Sequence, residues 1–177
     1  MPTTSDPTPA AIAFSTGKTT IWLLAITLAI TPLRRLSPRL NWLIKFRRLF
    51  GLFAFFYATL HMLTYVALYS GFSVAAMESD IAKRRFITMG VAAYLLLVPL
   101  ALTSTTWAIR KLGGKNWNRL HKLVYAAAIC GVIHYWWQVK TGVITPLTIT
   151  LVLSVLFLAR PVTSWLQRRK ARAAVAA

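Results

Sequence analysis

The sequence predicts an all-α polytopic membrane protein, a bundle of about five transmembrane helices. Three observations carry this. Apolar residues make up 57% of the 177 residues and charged residues only 14%, against about 25% charged in an ordinary soluble domain. The apolar residues gather into five long runs, with the basic residues between them. The charge is lopsided, 21 Lys and Arg against three Asp and Glu, for a formal net charge of +18. Such hydrophobicity excludes a disordered chain. Nucleic acid is not expected as a partner, because it needs a basic face on a soluble fold. Lys and Arg between apolar runs instead mark the cytoplasmic side of a membrane protein, with lipid as its surroundings.

Residues 1–10 are polar and rich in Pro and Thr, so they read as a mobile tail. They lack the basic start of a signal peptide. The apolar runs follow at 11–33, 49–69, 86–106, 117–137 and 143–158. Four are near the roughly 20 residues of a spanning helix and the fifth is at the short limit. Inside lipid every backbone group needs a partner in its own segment, which favours helices. Pro32, Pro99, Pro146 and Pro161 lie near run ends and read as helix punctuation. Residues 11–166 form the expected membrane domain and 167–177 a basic cytoplasmic tail. No internal repeat is visible, and the loops are too short to fold alone.

Orientation follows from the basic residues. Arg34, Arg35, Arg39, Lys45, Arg47 and Arg48 follow the first run. Arg110, Lys111, Lys115, Arg119 and Lys122 follow the third. Arg160, Arg168, Arg169, Lys170 and Arg172 follow the fifth. These sixteen fall on one side, and Lys18, Lys83, Arg84, Arg85 and Lys140 on the other. The expected topology is N-terminus periplasmic and C-terminus cytoplasmic, in a bacterial inner membrane.

The acids Asp6, Glu78 and Asp80 all lie outside the apolar runs. Paired-carboxylate catalysis and an intramembrane carboxylate relay are therefore excluded. Cys130 is the single cysteine, so a thiol cluster or disulfide framework is excluded as well. No glycine-rich nucleotide loop is present.

Three histidines remain: His61, His121 and His134. Each lies in or at the edge of an apolar run, where an ionisable side chain is expensive and a functional candidate. The bland alternative is a neutral imidazole bonded to backbone. His61 lies about 21 Å along a helix past Arg47, and His134 about 22 Å past Arg119. Two imidazoles at one depth on two helices are what a bis-histidine haem requires. Gly51, Ala54, Ala58 and His61 share a helix face, as do Ala127, Gly131 and His134. A flat macrocycle needs such small neighbours, although ordinary helix packing uses them too. His121 lies about 20 Å nearer the cytoplasm and on another face. It could ligate a second haem, bind a propionate or flavin phosphate beside Arg47, Arg119 or Lys122, or simply sit in a basic interfacial belt.

The stretches FRRLFGLFAFFYATLHMLTY, DIAKRRFITMG, PLALTST and NRLHKLVYAAAICGVIHYWW resemble the MsrQ (YedZ) family. Its members are haem-binding membrane subunits of the bacterial periplasmic methionine sulfoxide reductase system, within the ferric-reductase-like transmembrane superfamily. The likeness runs from about residue 16 to 169. It implies b-type haem, FMN, and electron delivery to a periplasmic molybdopterin reductase, MsrP. The implied donor is the quinone pool or a cytosolic flavin reductase. The family's functional histidines fall on His61, His121 and His134, with His61 and His134 as axial ligands of haem iron. Where oxidase relatives carry an inner partner histidine, this chain has Arg47. Many members also have a further N-terminal helix, and this chain is expected to begin just before the second. The expectation is an electron-transfer subunit rather than a catalytic one. The rivals are a self-contained ferric or quinone reductase and a non-redox scaffold.

Overall fold

The computed structural model describes residues 8–139 and 142–176. Lys140 and the first seven residues, with Asp6, lie outside the described residues. The chain is all helical, with no strand among the described residues. Helix α1 (Pro9–Leu36) starts at Thr8, whose side chain accepts from the Ala11 amide, with Pro9 in the first position. Helices α2 (Ile44–Thr64), α4 (Arg85–Leu102), α6 (Leu123–Gln138) and α7 (Ile144–Ala176) complete the apolar set. Four stretches are long and apolar enough to cross a membrane: Pro9–Leu36, Pro38–Tyr69, Arg85–Leu102 and Ile144–Arg169. Helix α6, with 16 residues, spans about 24 Å. Two shorter helices lie between: α3 (Val74–Lys83), and α5 (Thr106–Leu120), which breaks its helical path at Gly113, φ 72°.

Three expectations change. Pro32, Pro99 and Pro161 do not end their helices but lie inside α1, α4 and α7; only Pro146 is at a start. Pro32 has no N–H for the Leu28 carbonyl, four residues back. Arg160 Nη2 supplies the missing donor at 2.9 Å, so α1 continues through the proline. The fifth run is not short, because α7 carries on past Pro161 to Ala176. The run 117–137 is not one helix. The chain turns at His121–Lys122 through short-range bonds, Lys122 N–H to the Arg119 carbonyl and Tyr125 N–H to the Lys122 carbonyl.

Helix α1 packs along α2, α4 along α6, and α7 against α1. The core is one layer where these meet: Leu24, Ala25 and Leu28 of α1, Ala54 and Ala58 of α2, Leu97 and Leu100 of α4, Ala127 and Ala128 of α6, Ile149 and Leu153 of α7. The alanines let backbones approach, which matters because lipid gives helices no hydrophobic reason to associate. The outward faces are apolar instead. Leu147, Leu151, Val155, Leu158 and Val162 form an exposed stripe along α7, with Leu151 63% and Leu158 67% exposed. A stripe of that kind suits lipid, not water.

Candidate functional site

His61 is on the last turn of α2 and His134 near the end of α6, so both sit at the end of the bundle where α1 and α4 begin. Their ring centroids are 5.9 Å apart, with planes at 79°. Each ring is held from behind by a carbonyl on a neighbouring helix. His61 Nδ1–H donates to the Ala13 carbonyl at 2.9 Å, and His134 Nδ1–H to the Phe86 carbonyl at 2.6 Å. A carbonyl only accepts, so both rings carry their proton on Nδ1, leaving Nε2 with a free lone pair. Both rings line one cavity of about 560 Å³, walled by Ile21, Ala58, Ala127 and Gly131 among others. Of the predicted small-residue faces, Ala58, Ala127 and Gly131 line this cavity. Ala54 is fully buried in the core, and Gly51 belongs to a second cavity.

That second cavity, of about 300 Å³, lies toward the opposite end of the bundle. Arg47, Arg48, Gly51, Trp117 and His121 line it. His121 therefore does not join the other two histidines. It stacks on Trp117 with centroids 3.8 Å apart. Thr103 at the end of α4 holds both rings: Trp117 Nε1–H donates to its carbonyl at 2.8 Å, and His121 Nε2 meets its hydroxyl at 3.3 Å. That hydroxyl already donates to the Pro99 carbonyl at 2.6 Å, so it accepts from His121 Nε2–H. The His121 tautomer is thus opposite to that of the other two. Arg119 and Lys122, expected beside His121, are exposed and off the cavity wall.

Leu24 and Leu97 line both cavities and form the wall between them. Beside that wall Phe55 of the His121 cavity stacks on Tyr94 of the His61–His134 cavity, centroids 5.7 Å apart and planes 11° apart. On the Arg47 side of the bundle, Arg160 donates to the Tyr125 hydroxyl, and Arg35 Nη1 to the Arg160 carbonyl at 3.0 Å. Sequence reasoning missed the carbonyls of Ala13 and Phe86, Thr103, and the role of Arg160. Backbone acceptors leave no residue-type signal, whereas Pro32 inside an apolar run was a visible sign that some donor was needed.

A family model described as ferric reductase like transmembrane component matches residues 16–132. That range holds His61 and His121 and stops two residues short of His134. The chain is 48% identical over 161 residues to a protein-methionine-sulfoxide reductase heme-binding subunit MsrQ of Herminiimonas arsenicoxydans, covering 90% of the chain and 73% of that relative. It is 53% identical over 128 residues to the subunit of the same name from Ralstonia nicotianae, covering 72% of the chain and 58% of the relative. For that from Azospira oryzae the figures are 49% over 147 residues, 82% and 63%. The chain thus spans between 58% and 73% of the length of these three relatives.

Proposed function

The chain belongs to the ferric reductase like transmembrane component family, in its MsrQ branch, and from that membership we propose that it is a haem b-binding electron-transfer subunit of a methionine sulfoxide reductase system. The observation that carries this reading is the imidazole pair. Two imidazoles on opposite sides of one metal, with bonds of about 2 Å, put their ring centroids roughly 6 Å apart. His61 and His134 stand 5.9 Å apart with Nε2 unprotonated on both. Both would therefore hold a haem iron, His61 from α2 and His134 from α6. A cavity of about 560 Å³ is of the size that encloses a cofactor. Haem b, when bound, supplies one-electron iron chemistry whose potential depends on axial ligands and burial. The chain's part is to hold the two neutral imidazoles, keep water out with an apolar wall, and leave the outer edge close to the membrane surface.

His121 takes a different role. Its Nε2 is committed to Thr103, and the charged groups sharing its cavity are Arg47 and Arg48, which do not ligate iron. A second haem there would have His121 as its one protein ligand. The residues fit an anion better, the phosphate of FMN or a propionate, held by two guanidinium groups. Electrons would enter on this side, from the quinone pool or a cytosolic flavin reductase. The thin wall of Leu24 and Leu97, with the Phe55–Tyr94 stack beside it, supports passage to the outer cavity. They would leave to a periplasmic MsrP-like molybdopterin reductase, which performs the substrate chemistry. The sixteen-to-five basic split supports an inner-membrane protein with its N-terminus periplasmic and its C-terminus cytoplasmic. A pyridine haemochrome assay of the purified protein tests the reading. A b-type spectrum is expected, and a protein purified without haem from haem-replete cells would leave only a scaffold.

A further inference from the structure

Resting on the haem reading, we infer that Gly17 and Gly90 are a matched pair of positioning residues that set the pose of the two imidazoles. Each stands one helical turn beyond the carbonyl that holds a ring: Gly17 four residues after Ala13 on α1, Gly90 four after Phe86 on α4. A methyl group on Gly17 would lie 3.1 Å from Cε1 and 3.2 Å from Nδ1 of His61. On Gly90 it would lie 2.8 Å from Nδ1 and 3.0 Å from Cε1 of His134. Both ring edges therefore rest on bare helix backbone.

The two arrangements are copies. One offset of 73 residues carries Ala13 to Phe86, Gly17 to Gly90 and His61 to His134. It also carries Ala54 to Ala127, Ala58 to Gly131 and Leu24 to Leu97, the two leucines of the wall. The pairs α1 with α2 and α4 with α6 are thus two forms of one device. One helix offers a carbonyl and a glycine, and its partner offers small residues and a histidine. The division of labour has a physical reason. The carbonyl selects the tautomer and restrains, without fully fixing, the ring's swing about its bond to Cβ. Contact with bare backbone removes that swing, and a methyl would push the nitrogen off the carbonyl. The contact is tighter at Gly90, where the 2.8 Å approach is one that real Cβ atoms essentially never show, so its effect should be the larger.

The test compares Gly17→Ala and Gly90→Ala in the full chain with Gly114→Ala, where an added Cβ meets nothing within 4 Å. The readouts are the low-spin ferric EPR signal, the midpoint potential and haem affinity, plus histidine ¹⁵N NMR of the haem-free protein. Gly90→Ala should shift the EPR signal and potential and weaken haem affinity by about tenfold or more. Gly17→Ala should do the same to a smaller degree, and Gly114→Ala should do neither. In the haem-free protein, Gly90→Ala should disturb the Nδ1–H state of His134 alone, and Gly17→Ala that of His61 alone. Wild-type EPR, potential and tautomers in both variants would overturn the inference. Should Gly90→Ala fail to insert, Gly17→Ala, where the ring need move only slightly, decides by the same readouts. A wild-type protein that takes up no haem sinks the functional reading instead, while the tautomer measurement still judges the glycines.

Discussion

At the residue scale, the three histidines separate by what holds them. His61 and His134 give their Nδ1 protons to helix carbonyls, and His121 gives its Nε2 proton to Thr103. Replacing His61 or His134 with Ala should abolish the low-spin b-type spectrum. His121→Ala should keep most of that spectrum and disturb flavin content or electron entry. Optical spectra and flavin release measure both, and complete haem loss from His121→Ala with His61→Ala unaffected would defeat the pairing. Arg160 is a different case, since it repairs a helix. Its Nη2 donates to the Leu28 carbonyl that Pro32 leaves without a donor, and its ring-face contact lies 4.9 Å from the centre of Tyr125. Arg160→Met should lower stability by about 1–3 kcal/mol, the cost of a buried acceptor left unpaired. In a Pro32→Ala background the helix amide returns, and the same change should cost clearly less. A thermal-melt double-mutant cycle reads the difference, and equal costs in both backgrounds would refute the repair.

At the element scale, the connection between α2 and α4 is a structured piece and not a plain loop. Ser73 caps α3 by accepting from the Ala76 amide, and the Tyr65 hydroxyl donates to Asp80 at 3.2 Å. Arg84 pairs with Asp80 at 3.2 Å across one turn. Such an exposed pair adds little stability, but it partly neutralises one member of the basic triplet. Lys83 and Arg85 have no carboxylate partner among the described residues. If this edge steers an acidic soluble partner, Lys83→Gln with Arg85→Gln should slow reoxidation of dithionite-reduced haem by the proposed periplasmic reductase. The remaining rate should also lose most of its dependence on ionic strength. An unchanged rate and salt slope would leave these residues as lipid headgroup contacts. Lys140, grouped with them by sequence, lies outside the described residues.

At the scale of the whole molecule, the basic residues and the two cavities describe the same axis. The cavity with Arg47, Arg48 and His121 faces the densely basic end, and that with His61 and His134 the sparse end. An alkaline phosphatase fused after Ala177 should be silent, and one inserted at the 70–73 turn should be active. The reverse pattern would invert the proposed direction of electron flow as well as the topology.

The sequence by itself determined the class of this protein and singled out the three histidines that its structure divides between two cavities. Composition required a membrane bundle, because 57% apolar residues in long runs have no other stable solution. Helical rise pointed to His61 and His134 at one depth, and the structure brings the two rings together even though the turn at His121–Lys122 takes Arg119 off the helix that carries His134. Other features belonged to the tertiary structure alone. The turn at His121–Lys122 carries no Gly or Pro, and side chains from elsewhere hold its ends, Thr103 above all. Helices run through Pro32 and Pro161 because neighbouring groups and length can outweigh a missing amide, as Arg160 does for Pro32. The twofold plan linking Gly17 to Gly90 was also hidden. Its shared elements are backbone carbonyls and absent side chains, which become recognisable only when two helices bring them against a ring.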